Sequence, residues 1–281
     1  MQLDRNGTKP DALVLCGGYG TRLEPISEFV PKALLPVRGK PIINHIIGDT
    51  YGLVDRIIVS TNVKFADQFA YWVKNKELEP MREKLSFVID PSTKEKEKLG
   101  VVRGTAYAIE KARLDKGIII FSSDVFREFS IKAFITQFSE TPKPAILLRD
   151  LTEYGILAGS HVSWDAFVEL NAKLEEVRRR TLTCGVIACP PGIASKISDY
   201  SRVGGNPDSL SAFVRWLGKD GNLELVTSTG ISYDIGTIEA YRMLVREKRD
   251  SDVSEKEVGV SGPQERDVAC PADIEGVTHA N

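Results

Sequence analysis

Five short apolar runs punctuate the first half of the chain: Ala12 to Cys16, Arg56 to Ser60, Ser86 to Asp90, Ile118 to Phe121 and Ala145 to Leu148. Each is rich in aliphatic residues and too brief for a helix, as expected of a strand buried on both faces. Between them, Ile42 to Tyr51, Phe65 to Lys74, Thr105 to Arg113 and Ile131 to Phe138 place apolar residues at helical offsets. Strands separated by helices return in the same direction and need cover on both faces. The rhythm therefore predicts an α/β fold, a Rossmann-like, mostly parallel mixed sheet flanked by helices.

After Thr152 the alternation loosens. A helix-like stretch from Ala166 to Arg179 precedes a strand at Leu182 to Cys189 and a helix at Ser209 to Leu217, a part expected to lie over the first half. A last strand near Gly230 to Tyr233 leads into a helix from Thr237 to Lys248. Beyond Asp250 the chain is polar and short of core residues. The expected division is an N-terminal extension over 1–10, one domain over 11–249, and a tail over 250–281 that is flexible or docks on a partner subunit of a homo-oligomer. No internal repeat is visible, and no hexapeptide array that would build a C-terminal β-helix.

Charge narrows the partners. The 37 basic and 39 acidic residues are well mixed, for a net charge of -2, so no long-range field gathers nucleic acid or anionic lipid, and an anionic ligand has to be held locally. Cys16, Cys184, Cys189 and Cys270 form no CxxC pair and have no histidine at zinc-ligand spacing. With a polar N-terminus and no run approaching the ~20 apolar residues of a membrane span, the expectation is a cytoplasmic protein with no membrane or nucleic-acid partner.

The strongest local signal is Leu13 to Lys32, LVLCGGYGTRLEPISEFVPK, directly after a predicted strand. Gly17, Gly18 and Gly20 permit a sharp turn and close approach to a bulky anion, and successive backbone N–H groups can point at phosphate oxygens. Arg22 adds a forked cation and Lys32 a point charge, a set suited to a triphosphate. Taken alone, the same residues also describe a tight strand-to-helix turn with surface cations. The spacing is neither that of a P-loop nor the GxGxxG of a dinucleotide site.

GGYGTRL followed by PKALLPVRGKPII at Pro31 to Ile43 resembles the sugar-1-phosphate nucleotidyltransferases, or nucleotide-sugar pyrophosphorylases. The likeness continues in the family's order through Gly104-Thr105-Ala106, Ser123-Asp124, Tyr154-Gly155, Cys184-Gly185 and Tyr233 to Thr237, covering roughly Asp11 to Glu247. It implies the nucleotide-diphospho-sugar transferase fold and the transfer of a nucleoside monophosphate from an NTP to a sugar 1-phosphate, with release of pyrophosphate. The NTP is then expected on Leu15, Gly17, Gly18, Gly20, Thr21, Gly104 and Thr105, with Arg22, Lys32 and Asp124 catalytic.

Bringing an NTP and a sugar phosphate together opposes several negative charges, and a divalent metal is the economical remedy. The resemblance assigns Asp124 and Asp234 to that metal, Mg²⁺, in agreement with the need for hard oxygen ligands at strand ends. The alternatives are helix N-caps, Asp124 before Phe126 and Asp234 before the last helix. Ser123 stands where the family usually has Gly.

Gly104-Thr105 is expected to open a helix whose free N–H groups read the base edge; a plain helix start with Thr105 as its cap fits the residues equally. Tyr154, Gly155, Glu169, Lys173, Cys184 and Gly185 are the sugar-phosphate candidates. Lys173 is displaced from the family's Glu-Lys-Pro, and it reads more readily as a solvated residue of a charged helix beside Glu175 and Arg178 to Arg180 than as a grip on the sugar phosphate. His45 is expected to serve packing or surface rather than catalysis. Two rival functions remain open at this point: a cytidylyltransferase for another phosphorylated alcohol, and a noncatalytic nucleotide-sugar-binding regulator.

Overall fold

In the computed structural model, residues 9–149, 183–219, 223–228 and 230–245 are described. Seven strands form the main sheet: β1 (Asp11–Leu15), β4 (Ile57–Asn62), β5 (Leu85–Asp90), β6 (Ile118–Ser122), β8 (Ala145–Leu148), β9 (Thr183–Cys189) and β10 (Glu224–Thr227). Their order is β10-β8-β9-β6-β1-β4-β5. β1, β4, β5 and β6 run parallel, as do β8 and β10, whereas β9 is antiparallel to both its neighbours. All five runs expected as strands are strands of this sheet.

The alternation of side chains shows why those runs are apolar throughout. Ala12 and Val14 of β1, Ile57 and Val59 of β4, and Ile119 and Phe121 of β6 face one helical layer. That layer carries α1 (Ile42–Thr50), α2 (Ala66–Trp72) and α4 (Lys132–Glu140), which contribute Ile47, Phe69 and Phe134. Leu13, Ile58 and Ile120 face the other layer. There α3 (Val101–Ala112), α5 (Ile193–Arg202) and α6 (Leu210–Gly218) contribute Ala108, Ile197 and Phe213. Each fully buried Ile, Leu or Phe contributes about 1.5–3 kcal/mol, so loss of either layer would unfold the sheet.

Two expectations are corrected. The part after Thr152 does not simply lie over the first half, because β9 is inserted into the sheet between β6 and β8, and of its described residues α5 and α6 cover a face. The 3.6 spacing of Ile193, Ile197 and Tyr200, which builds α5, is legible but short. The helix expected from Thr105 begins a turn earlier, at Val101, with Gly100 as its N-cap at φ 80°. Gly104 N–H therefore donates to Gly100 O at 2.8 Å, and the Thr105 hydroxyl donates to Val101 O at 2.7 Å inside the helix. Neither residue opens the helix.

A smaller unit stands beside the sheet. β7 (Val125–Arg127) pairs antiparallel with β11 (Ser232–Asp234), and a helix over 238–245 follows. Phe126, Ile235 and Leu244 pack there with Leu23, Leu35 and Ile42, and Tyr241 donates its hydroxyl to Pro36 O at 2.9 Å. The PKALLPVRGKP segment is thereby fixed against the ribbon. Its own hairpin, β2 (Pro36–Val37) and β3 (Lys40–Pro41), turns through Arg38 and Gly39, both at positive φ, as a two-residue hairpin loop of the type I′ class requires. Among the described residues no helix is long and apolar enough to cross a membrane. Tyr154, Gly155, Glu169 and Lys173, and the tail over 250–281, lie outside the described residues.

Candidate active site

The glycine loop leaves the C-terminal end of β1 at the middle of the parallel sheet. Cys16 N–H donates to Ser60 O, and Asn62 donates its side-chain amide to Gly17 O at 2.9 Å, so the loop is tied to the neighbouring strand end. Gly20 is at φ 67°, and its carbonyl accepts from the Ser27 hydroxyl at 2.7 Å and from Leu23 N–H. A Cβ here would sit 3.1 Å from Lys32 Cε, so the glycine lets the lysine stem fold back over the turn. Gly17 and Gly18 differ. No atom of the protein lies within 4 Å of a Cβ built on either, and nothing internal demands glycine there.

These residues line a cleft of about 370 Å³ along the C-terminal ends of the strands. Leu15, Gly17, Gly18, Gly20, Thr21 and Gly104 all reach it, as do Arg22, Lys32 and Asp124. Thr105 does not: it is buried, with its hydroxyl turned into α3.

Asp124 follows β6 and does not cap a helix, since residues 125–127 are strand β7. Its Oδ1 accepts from the Ser122 hydroxyl at 2.6 Å and its Oδ2 lies 3.4 Å from Lys32 Nζ. The alternative cap for Asp234 fails as well, because Thr237 Oγ1 accepts from Ala240 N–H and takes that place. The two aspartates, 110 positions apart, are joined by the small ribbon: Asp234 pairs with Val125, and Ile235 N–H donates to Asp124 O at 2.8 Å. A Cβ on Gly236 would lie 3.0 Å from Asp234 Oδ1 and 3.4 Å from an Arg22 guanidinium nitrogen, which places that cation beside the second carboxylate.

Charges of both signs act on Asp234. The surrounding protein, and next the charge of Asp124, raise the pKa of Asp234, while Lys32 and Arg22 pull it down. Arg127, the last residue of β7, is buried, with one guanidinium nitrogen donating to Cys184 O at 2.8 Å; burial pushes its pKa down to about 10, so it stays charged at neutral pH. Sequence reasoning passed over Arg127, since an arginine in an apolar stretch carries no motif. Ser123, which stands in place of a glycine, donates to Leu15 O at 2.6 Å and locks β6 to the glycine loop.

Of the sugar-side candidates, Cys184 and Gly185 are described. The Cys184 thiol is buried, its pKa raised to about 11 by that burial, and it accepts from the Ser232 hydroxyl at 3.7 Å. Gly185 is at φ 66°, and a Cβ would stand 2.8 Å from Val125 Cγ2 and 3.0 Å from Ser122 Cβ. Its glycine is required by the close passage of β9 over the β6–β7 corner. His45 fills a packing role: Nε2 lies 2.9 Å from Val37 O, and the ring meets Phe126 edge-on.

Residues 11–250 match the family described as Nucleotidyl transferase. The chain belongs to that family. Among curated family relatives, the protein named Bifunctional protein GlmU of Methanocaldococcus jannaschii is 24% identical over 255 residues, covering 88% of this chain and 57% of that protein. The protein of the same name in Methanococcus vannielii is 31% identical over 125 residues, covering 44% of this chain and 27% of the other. The chain thus spans little more than half of the longest of these two matches. A solved UDP-glucose pyrophosphorylase complexed with UDP-glucose shares the nucleotidyl transferase fold at a TM-score of 0.65 and 16% identity, over 87% of this chain and 100% of that one.

Proposed function

We propose that this nucleotidyl transferase moves a nucleoside monophosphate from an NTP to a sugar 1-phosphate, giving an NDP-sugar and pyrophosphate, with Mg²⁺ held by Asp124 and Asp234. The observation that carries the reading is the convergence of the two carboxylates through the β7–β11 ribbon, beside a glycine loop that brings Arg22 and Lys32 to the cleft lined by Asp124. The sugar-phosphate acceptor rests on the motifs shared with nucleotide-sugar pyrophosphorylases.

The residues present suit the metal. Two hard oxygen donors approach each other closely enough for one to raise the pKa of the other, an excess of negative charge that a divalent cation offsets. Mg²⁺ characteristically takes one or two carboxylates and completes its shell with phosphate oxygens and water. When bound, it supplies charge neutralisation on the phosphate oxygens.

The chain's own groups do the rest. Arg22 and Lys32 hold the phosphates and stabilise charge on the α-phosphoryl group and the departing pyrophosphate. Gly17 and Gly18, with no protein atom near their Cβ positions, leave the backbone open to the nucleotide. The sugar-phosphate oxygen is already anionic at neutral pH. It attacks the α-phosphorus in line: one phosphorus–oxygen bond forms, the bond to pyrophosphate breaks, and no base is needed. That accounts for a site with no histidine in the cleft among the described residues.

Pyrophosphate release, measured for UTP, dTTP, GTP, CTP and ATP against a set of sugar 1-phosphates with and without Mg²⁺, tests the proposal. Mg²⁺-dependent release with at least one pair is expected. Tight NDP-sugar binding without any release would instead establish the regulator.

A further inference from the structure

The cleft is polarised along its length. The strand order β5-β4-β1-β6 sets the strand ends in a row, and at ~4.8 Å per strand the end of β5 lies about 14 Å from the end of β6. Arg22 and Lys32 stand with Asp124 and Asp234 at the β6 side. At the other side the cleft is lined by Asp90 from the end of β5, by Glu95 and Asp208, and by one cation, Lys98. Lys98 lies 3.6 Å from both Glu95 and Asp208. A triphosphate is excluded from a wall carrying three carboxylates and one ammonium group. Its phosphates go to Arg22 and Lys32, so its base goes to the carboxylate end.

We infer that this end selects guanine, with Asp208 as the residue that reads the base. The inference rests on the nucleotide-binding reading above. The loop carrying Asp208 closes directly on the start of α3. Pro207 O accepts from Val102 N–H at 2.9 Å, and a Cβ on Gly100 would meet Pro207 O at 2.7 Å and Asp208 Oδ1 at 2.8 Å. The loop is held from behind, where Gly205 packs on the Tyr200 ring and the Tyr200 hydroxyl donates to Asn206 O at 3.3 Å. A carboxylate is thereby set beside the first-turn N–H groups of a twelve-residue helix. Thr61, at the end of β4, lines the same cleft, and its buried Oγ1 has no hydrogen-bond partner, so polar capacity is left over there.

A carboxylate only accepts hydrogen bonds, and a helix N-terminus only donates them. The pairing edge of guanine carries one acceptor, O6, next to two adjacent donors, N1–H and the N2 amino group. Val102 N–H is taken by Pro207 O, and the first-turn N–H groups that remain suit O6, while the two oxygens of Asp208 suit the two donors as a bidentate pair. Uracil and thymine place a carbonyl where the second carboxylate oxygen would stand. Cytosine and adenine place an unprotonated ring nitrogen opposite the first carboxylate oxygen, where guanine has N1–H. Each mismatch leaves a carboxylate oxygen facing a lone pair, which is how a polar site rejects a near-isostere.

The test is calorimetric binding of GTP, UTP, dTTP, CTP and ATP to the full chain with Mg²⁺, repeated on Asp208→Asn, alongside melting curves and pyrophosphate release. GTP is expected to bind about tenfold to a hundredfold more tightly than UTP, the usual discrimination of a bidentate base contact, and Asp208→Asn should reduce the ratio to about threefold or less. Equal binding of UTP and GTP by the native chain overturns the inference. So does an Asp208→Asn variant that loses melting temperature but keeps the full ratio, because Asp208 would then serve only the helix terminus. Pyrophosphate release confined to another NTP defeats the guanine assignment and leaves nucleotidyl transfer standing. Selective GTP binding with no release from any pair does the reverse.

Discussion

The backbone N–H of Ile235 meets the carbonyl oxygen of Asp124 at 2.8 Å, and this one bond, with the three-residue ladder beside it, joins two carboxylates that are 110 positions apart. Neither aspartate is held by a helix. Each stands at the end of a short strand, and the ribbon is packed on Leu23, Leu35 and Ile42, the same apolar segment that carries Lys32 into the cleft. The proposed metal ligands and the proposed phosphate-binding cations therefore share one support.

Asp124→Asn should remove most activity and leave the fold intact. Its Oδ1 partner, the Ser122 hydroxyl, can still donate to an amide oxygen, and the backbone bond to Ile235 is untouched. Loss of a ligand at the reacting phosphate is expected to lower kcat by at least about a hundredfold. Steady-state pyrophosphate release and a melting curve on the same preparation check both halves.

Asp234 gives a prediction with a definite sign in pH. Its pKa is raised in the folded chain by the surrounding protein and by Asp124, so the folded state holds its proton more tightly than the unfolded state. That contribution to stability is full below the ordinary Asp range and is lost as pH rises through the raised value. Without divalent cations, Asp234→Asn should therefore melt higher than the native chain at pH 7.5, with the gap closing toward pH 3. Adding Mg²⁺ should stabilise the native chain and not the variant.

Two glycines separate folding from binding. Gly185→Ala places a Cβ against Val125 and Ser122 at positive φ and should cost about 1–3 kcal/mol in urea unfolding. Gly18→Ala meets no protein atom within 4 Å, and its stability should stay within about 0.5 kcal/mol of native. Its KM for the NTP should nevertheless rise about tenfold or more, because the new methyl occupies space open to the nucleotide.

Arg127→Met removes the guanidinium that donates to Cys184 O from a buried position. The carbonyl loses that donor, at an expected cost of about 1–3 kcal/mol in chemical denaturation. Recovery of that cost in Arg127→Lys, which keeps a buried donor, would assign the loss to the hydrogen bond; no recovery would assign it to packing.

Much of the scaffold could be read from pattern. The strands at the sheet centre are buried on both faces, and a continuous aliphatic run is the direct imprint of that burial. β7 has three residues, too few for any period to show, and β10 is only half-buried, whereas β11, equally short, falls on the strand expected near Gly230 to Tyr233. The early start of α3 was hidden by Gly100. A glycine at positive φ ends the preceding loop and caps the helix, whereas the Gly-Thr pair one turn later looks like a start and lies inside.

The amino-acid sequence by itself determined the alternation that makes a doubly covered sheet, the glycine loop with its two cations, and the identities of the two aspartates. Those are local properties: residue type, spacing and backbone freedom suffice to state them. Only the tertiary structure decided that Asp124 and Asp234 adjoin, that Arg127 is buried against the Cys184 carbonyl, and that Asp208 closes on the first turn of α3. Each depends on contacts between segments distant in the chain, where strand pairing and the packing of loops set distances that no single segment encodes.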